Sequence, residues 1–216
     1  MLAELQQILT ILATGSGIYV AINGLNAWKR EMTGKRDIEL CQKVIELFYE
    51  ADHKIETLRF PGVYPAEGDS RPKIGPEPED DTRRRNILYA PLERINNQMD
   101  FWSEFFSYKF RMRALFGESA VEAFALVDEA LRSFRAATLT RYQALVNDPE
   151  ALKRDAREAF ENAIWSGPGK HDELDEKVKR GITLMEEVCV PIVRSNRGQG
   201  IAGMWCAIQT RLPKHN

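Results

Sequence analysis

The sequence predicts an all-α protein in which an N-terminal transmembrane helix continues into an antiparallel, cytoplasmic helical bundle of four to five helices. Three observations carry this. Apolar residues recur at three- and four-residue steps through most of the 216 positions, the period of a helix with one buried face. No run alternates apolar and polar residues as a half-buried strand would. From Leu5 to Trp28 there is no Asp, Glu, Lys, Arg or His in 24 residues, and that stretch stops abruptly at Lys29 and Arg30.

The length suits one domain plus an anchor, so the organisation expected is a span at 5–28 and a bundle over 29–216 with a flexible Pro-rich loop at 61–81. A composition of 44% hydrophobic and 29% charged residues leaves room for one span and no more. All 30 Lys and Arg lie after residue 28, against 31 of the 32 Asp and Glu, so the bundle carries a formal charge of −1. Such balance argues against bulk-charge binding, and no nucleic-acid partner is expected. Cys41, Cys189 and Cys206 are isolated and form no CxxC, which fits a reducing cytoplasm better than a disulfide framework.

At about 1.5 Å per residue a helix of this length reaches roughly 36 Å, enough for a hydrocarbon core of about 30 Å. Polarity is the objection, because Gln6, Gln7, Thr10, Thr14, Ser16, Asn23 and Asn26 dilute the apolar run from Ile8 to Leu25. A signal peptide is one rival, and it lacks a basic n-region here. A core helix of a soluble bundle is the other. Lys29, Arg30, Lys35 and Arg36 follow the span and no Lys or Arg precedes it, so the N-terminus is expected outside and the bundle in the cytoplasm. Trp28, Lys29 and Arg30 then mark the membrane interface.

Within the span Thr10, Ala13, Gly17, Ala21 and Gly24 fall on one stripe of small residues. Stripes of this kind let helices approach closely in lipid, so homo-oligomerisation through this face is expected.

The first helix should run on to about Leu58, since Ile38, Cys41, Val44, Ile45, Phe48, Asp52, Ile55 and Leu58 keep the helical step, with Gly34 as a hinge. The loop at 61–81 holds five of the ten prolines and the acidic run Glu77 to Asp81. A second helix is expected from Thr82 to Phe116, with Leu88, Leu92, Ile95, Met99, Trp102, Phe106 and Phe110 as a continuous seam. Gly117 breaks it, and Ser119-Ala-Val-Glu122 reads as a capping box opening a third helix with Val121, Phe124, Leu131, Phe134, Tyr142 and Leu145 on its face. Asp148-Pro149 suggests the N-cap and first position of a fourth. A fifth starts with Asp172, Glu173, Asp175 and Glu176, whose charge suits its positive end, and should close at Pro191. The apolar octet Ile201 to Ile208 is expected to pack on the bundle or lie on a membrane.

The sequence offers little chemistry. Glu50-x-x-His53 has the spacing of a di-iron bundle ligand pair, but His171 and His215 lack the second Glu three residues before them. Phosphate-binding, nucleophile-elbow and zinc-protease motifs are missing, so no catalytic, cofactor-binding or metal residue is assigned and no enzyme activity is expected. Arg83-Arg84-Arg85, with Lys109, Arg111 and Arg113 further along the same helix, form the one basic concentration away from the span; the acidic run Glu77 to Asp81 just before the triplet is expected to neutralise it locally, and Lys109, Arg111 and Arg113 would suit anionic headgroups if their helix returned toward a bilayer.

Trp28-Lys-Arg, the helix from Leu40-Cys41 to Tyr49, Arg59-Phe-Pro61, Tyr89-Ala-Pro-Leu92 and Leu115-Phe-Gly117-Glu-Ser-Ala120 give the chain, over residues 8 to 147, a layout that resembles a loosely defined group of uncharacterised bacterial proteins with one N-terminal span and a cytoplasmic helical domain. The resemblance implies a bacterial inner-membrane protein and brings no catalytic residues. The expected function is therefore a single-pass, oligomerising interaction or sensing module with an unknown protein partner. The alternatives are a membrane-acting effector that forms pores or depolarises, and, behind it, a helical-bundle enzyme.

Overall fold

The computed structural model describes residues 2–64, 66–73, 75–167 and 172–195. Among them lie six helices and no strand: α1 (Leu2–Leu58), α2 (Glu79–Asn97), α3 (Met99–Phe116), α4 (Glu118–Leu145), α5 (Arg154–Ile164) and α6 (Glu173–Ser195). The all-α class stands. The chain divides into two units, one of residues 1–42 with 192–216 and one of residues 43–191.

In the first unit every residue from Leu2 to Gln42 is helical, so Gly34 interrupts nothing. Among the described residues no helix is long and apolar enough to cross a membrane. The transmembrane helix expected over 5–28 is thus not supported, and the physical reason is the seven amide and hydroxyl side chains that dilute it. Several large apolar residues of this stretch are nevertheless open to solvent: Tyr19, Val20, Ile22, Leu25 and Trp28 are each more than half exposed. The octet 201–208 lies outside the described residues.

The second unit is built around three phenylalanines from three helices. Phe48 of α1, Phe105 of α3 and Phe124 of α4 meet with ring centroids 4.9 to 5.0 Å apart and tilted or edge-on planes, the arrangement that suits aromatic quadrupoles. Val44, Leu47, Ala51 and Ile55 extend the apolar face of α1, and Ala120, Ala123, Val127, Ala130 and Phe134 form that of α4. Because alanines line it, α4 admits close neighbours. A β-carbon built on Gly181 of α6 would stand 2.9 Å from the Ala123 carbonyl oxygen. Helix α4 also packs against α2, α3 and α5.

The long helix expected from Thr82 to Phe116 is two helices, broken at Gln98 (φ −107°, ψ 7°), whose N–H donates to the Ile95 carbonyl rather than one turn back. Asn96 and Asn97 precede the break, and their side chains compete for backbone hydrogen bonds that a helix needs. The buried face keeps its helical step across the break, from Leu88 and Ile95 to Trp102, Phe105 and Met112, and lies to one side of the expected seam. Trp102, Phe105 and Met112 are buried, while Met99 and Phe110, members of the expected seam, are 50% and 75% exposed.

Three helix ends also differ from expectation. Gly117, at φ 77°, is the N-cap of α4, and no side chain caps it, so Ser119 and Glu122 form no capping box. Asp148 accepts from the Glu150 N–H at 2.9 Å in a separate turn, and α5 starts only after Lys153. Helix α6 passes through Pro191 and is helical as far as Ser195, the last described residue, since proline costs a helix one hydrogen bond without obliging it to stop.

Candidate functional site

Of the small-residue stripe, Ala21 and Gly24 are exposed, and a β-carbon on Gly24 would meet nothing within 4 Å. Thr10, Ala13 and Gly17 sit on the same helix by backbone, and their side-chain surroundings lie outside the described residues, as do those of Lys29 and Arg30. Trp28 is exposed. Glu50 and His53 are exposed on α1, where Lys54 lies 3.6 Å from Glu50 and Glu56 lies 3.7 Å from the His53 imidazole. Among the described residues no three His, Cys, Asp or Glu side chains gather as metal ligands would. His171 and His215 lie outside them.

The chemistry that the fold does concentrate is a set of buried arginines around the segment between α1 and α2. Arg94 of α2 is buried and donates to the carbonyls of Leu58 (3.4 Å), Phe60 (2.6 Å) and Gly62, and to both oxygens of Glu67 (3.1 and 2.7 Å). Burial opposes ionisation of Glu67, but the Arg94 guanidinium and the Tyr64 N–H outweigh it and hold its pKa below the ordinary value. Arg71, also buried, donates to Asn86 Oδ1 at 3.2 Å and to both Glu77 oxygens. Glu77 accepts in addition from Arg85 at 2.7 Å, and the two guanidinium groups, Arg71 foremost, lower its pKa to about 2.

Gly68 completes this lattice. Its φ is 84°, its N–H donates to the Glu93 carboxylate, and a β-carbon there would fall 2.1 Å from the Asn86 carbonyl oxygen, so only glycine fits. The segment is therefore non-helical, as its prolines suggest, yet fastened at Gly62, Glu67, Gly68, Arg71 and Glu77. Arg84 donates to the Leu145 and Val146 carbonyls at 2.6 and 3.1 Å, satisfying the open end of α4.

Arg59 marks a third cluster. It donates to Asp172 Oδ2 at 2.6 Å and to the Asn162 carbonyl at 3.4 Å. Asp172 caps α6 by accepting from the Asp175 N–H at 3.1 Å. Burial raises the Asp172 pKa and Arg59 with the helix amides lowers it further, leaving a net depression. Beside this pair opens a cavity of about 330 Å³ lined also by Ser133, Asn162, Glu173 and Lys177, where Lys177 is held by Glu129 at 2.7 Å. A second cavity, about 320 Å³, lies against Phe60, Tyr64, Glu67 and Arg94, with the two rings stacked 6.1 Å apart.

In each cluster the cations already meet carboxylates or carbonyls, which is the arrangement of charge buried for architecture. The pairing of Arg85 with Glu77 and of Arg84 with Asp81 is the local neutralisation that the arginine triplet and the acidic run before it suggest, whereas nothing in their spacing marks Arg59, Arg71 and Arg94. Their carboxylate partners lie from 6 to 113 residues away in the chain.

Comparisons of the chain with protein families, with curated proteins and with solved structures find no match.

Proposed function

We propose that this protein is a membrane-anchored helical module, held to a bacterial inner membrane by the segment 5–28, self-associating there, and presenting its cytoplasmic bundle to a protein partner. The observation that carries the reading is the 24-residue stretch without a charged side chain, on which Tyr19, Val20, Ile22, Leu25 and Trp28 stand open to solvent. Exposed apolar surface of that extent is costly in water and favourable in lipid or against a second helix.

The polar residues that keep the segment short of an apolar span have a role in this reading. Thr10 lies on the stripe with Ala13, Gly17, Ala21 and Gly24, where hydroxyl groups hydrogen-bond across paired helices and small residues admit close approach. Lys29 and Arg30 hold the following turn on the cytoplasmic side. A second reading, an effector that opens the bilayer, draws on the same Thr10 with Thr14, Ser16 and Asn23, which would line a polar path in an oligomer.

Reconstitution of the full chain in dye-loaded liposomes with chemical crosslinking tests this. Oligomers that Gly17→Leu abolishes, without dye release, are expected. Dye release lost in the same variant selects the effector, and a chain that stays in the buffer overturns both readings.

A further inference from the structure

With Trp102, Phe105 and Met112 turned into the core, a mostly apolar strip of α3 lies beside the buried face. Met99, Ser103, Phe106, Phe110 and Ala114 follow at steps of four, three, four and four and so share one face. Phe110 is 75% exposed and Leu115 55%, unusually open for large apolar side chains in the middle of a folded unit.

Charge is unevenly divided along this helix. Asp100 and Glu104 lie in its first half, where Glu104 meets Lys43 at 3.0 Å. Residues 107–116 carry Lys109, Arg111 and Arg113 and no acid. Lys109 and Arg113, four apart, flank the strip on one side, and Arg111 with Leu115 flanks it on the other. Arg111 lies over the Tyr108 ring at 5.6 Å. Arg113 meets Glu118 at 2.8 Å in a pair exposed on both sides, which holds it only weakly. An apolar ridge bracketed by cations is the pattern of a helix lying in a bilayer interface, with its ridge among the acyl chains and its cations among phosphates.

We infer that the C-terminal half of α3 is a second lipid contact, in which Phe110 enters the surface of an anionic bilayer and Lys109, Arg111 and Arg113 engage its headgroup phosphates. For its partner this rests on the membrane reading above; for its site it rests on α3 alone. A second copy of the chain is the poorer occupant, because a two-fold contact centred on Phe110 sets these cations against their own equivalents. Nucleic acid would leave Phe110 without apolar cover.

The test places photoreactive p-benzoylphenylalanine at position 110 of the full chain and, as a control, at exposed Leu139 of α4. Each is irradiated with vesicles of phosphatidylcholine alone or with added phosphatidylglycerol. A lipid adduct at 110 and not at 139, about tenfold stronger with the anionic lipid and returned to the neutral-lipid level by Lys109→Glu with Arg111→Glu, is expected. No lipid adduct at 110, equal adducts at both positions, or a chain-to-chain adduct at 110 overturns it. Vesicle flotation, read in parallel, separates the two claims: flotation without an adduct at 110 leaves the anchor and removes this contact. An adduct with anionic vesicles from a chain that fails to float on neutral ones does the reverse.

Discussion

Gly181 of α6 faces the Ala123 carbonyl of α4 so closely that a methyl group would stand 2.9 Å from the oxygen and 3.3 Å from Val127 Cγ2. The contact explains a glycine in the interior of a long helix, where alanine would otherwise be better by about 1 kcal/mol. Carbonyl oxygens cannot rotate away, so Gly181→Ala forces the helices apart. It should destabilise the protein by about 1 to 3 kcal/mol in urea unfolding despite its helix propensity. A variant as stable as the parent would mean that the α4–α6 spacing is slack.

The burial pattern of α3 predicts opposite fates for two phenylalanines five residues apart. Phe105 is fully buried against Phe48 and Phe124, so Phe105→Ala should cost about 3 to 5 kcal/mol. Phe110→Ala should change stability by less than about 0.5 kcal/mol. The reverse order would restore the continuous seam that the sequence suggests.

Arg94 gathers three carbonyls and one carboxylate at a buried position, so Arg94→Met leaves those carbonyls without this donor and Glu67 charged with only the Tyr64 N–H to hold it. A loss of about 3 to 5 kcal/mol is expected. Hydrogen exchange should quicken at Glu67, Asp69 and Arg71, whose amides donate within the segment's own turns. Unchanged exchange there would show that the turns stand without the arginine.

Acid should unfasten the same segment. Glu77, Glu67 and Asp172 have folded pKa values below their unfolded ones, so each stabilises the fold above the unfolded value and ceases to do so as pH falls through the folded one. For Glu77 that window runs from 4.5 down to about 2. Thermal stability should decline across it, and less steeply in Glu77→Gln, which has nothing left to titrate there.

Asp52 has the opposite sign. Burial first, then Glu56 and Asp175, push its pKa up, so its charged form weakens the fold once the pH exceeds the folded pKa. Asp52→Asn should therefore be more stable than the parent at pH 7 and indistinguishable from it below pH 3, as read by thermal melting. A loss of stability at pH 7 would mean that Asp52 has a partner worth more than its burial costs.

Helix content and the main punctuation were legible in the chain. Leu58 ends α1 where its apolar step stops, and Gly117 separates α3 from α4. The break at Gln98 was not, because Met99, Trp102 and Phe106 continue the step of Leu88, Leu92 and Ile95 across it. On α4 the buried Phe124, Phe134 and Leu145 were legible, but Ala120, Ala123 and Ala130 carry too little hydropathy to outweigh Val121 and Leu131 beside them. The arginine lattice was illegible for another reason: Arg59 finds Asp172, and Arg94 finds Glu67, only once the helices have packed. Of the candidate membrane face, the spacing of Thr10, Ala13, Gly17, Ala21 and Gly24 is a sequence property that the helix α1 preserves, and what covers it is the question that remains for experiment.

That question has a direct measurement. The full chain is expressed in bacterial cells, membranes are collected and washed with alkaline carbonate, and the washed pellet is compared with that of Ile22→Asp/Leu25→Asp, a variant that alters only exposed positions. Retention of the parent in the pellet until detergent is added, with the variant released by the wash while keeping its helical circular dichroism, is the predicted result. Release of the parent by carbonate alone would contradict the anchoring of this protein through residues 5–28.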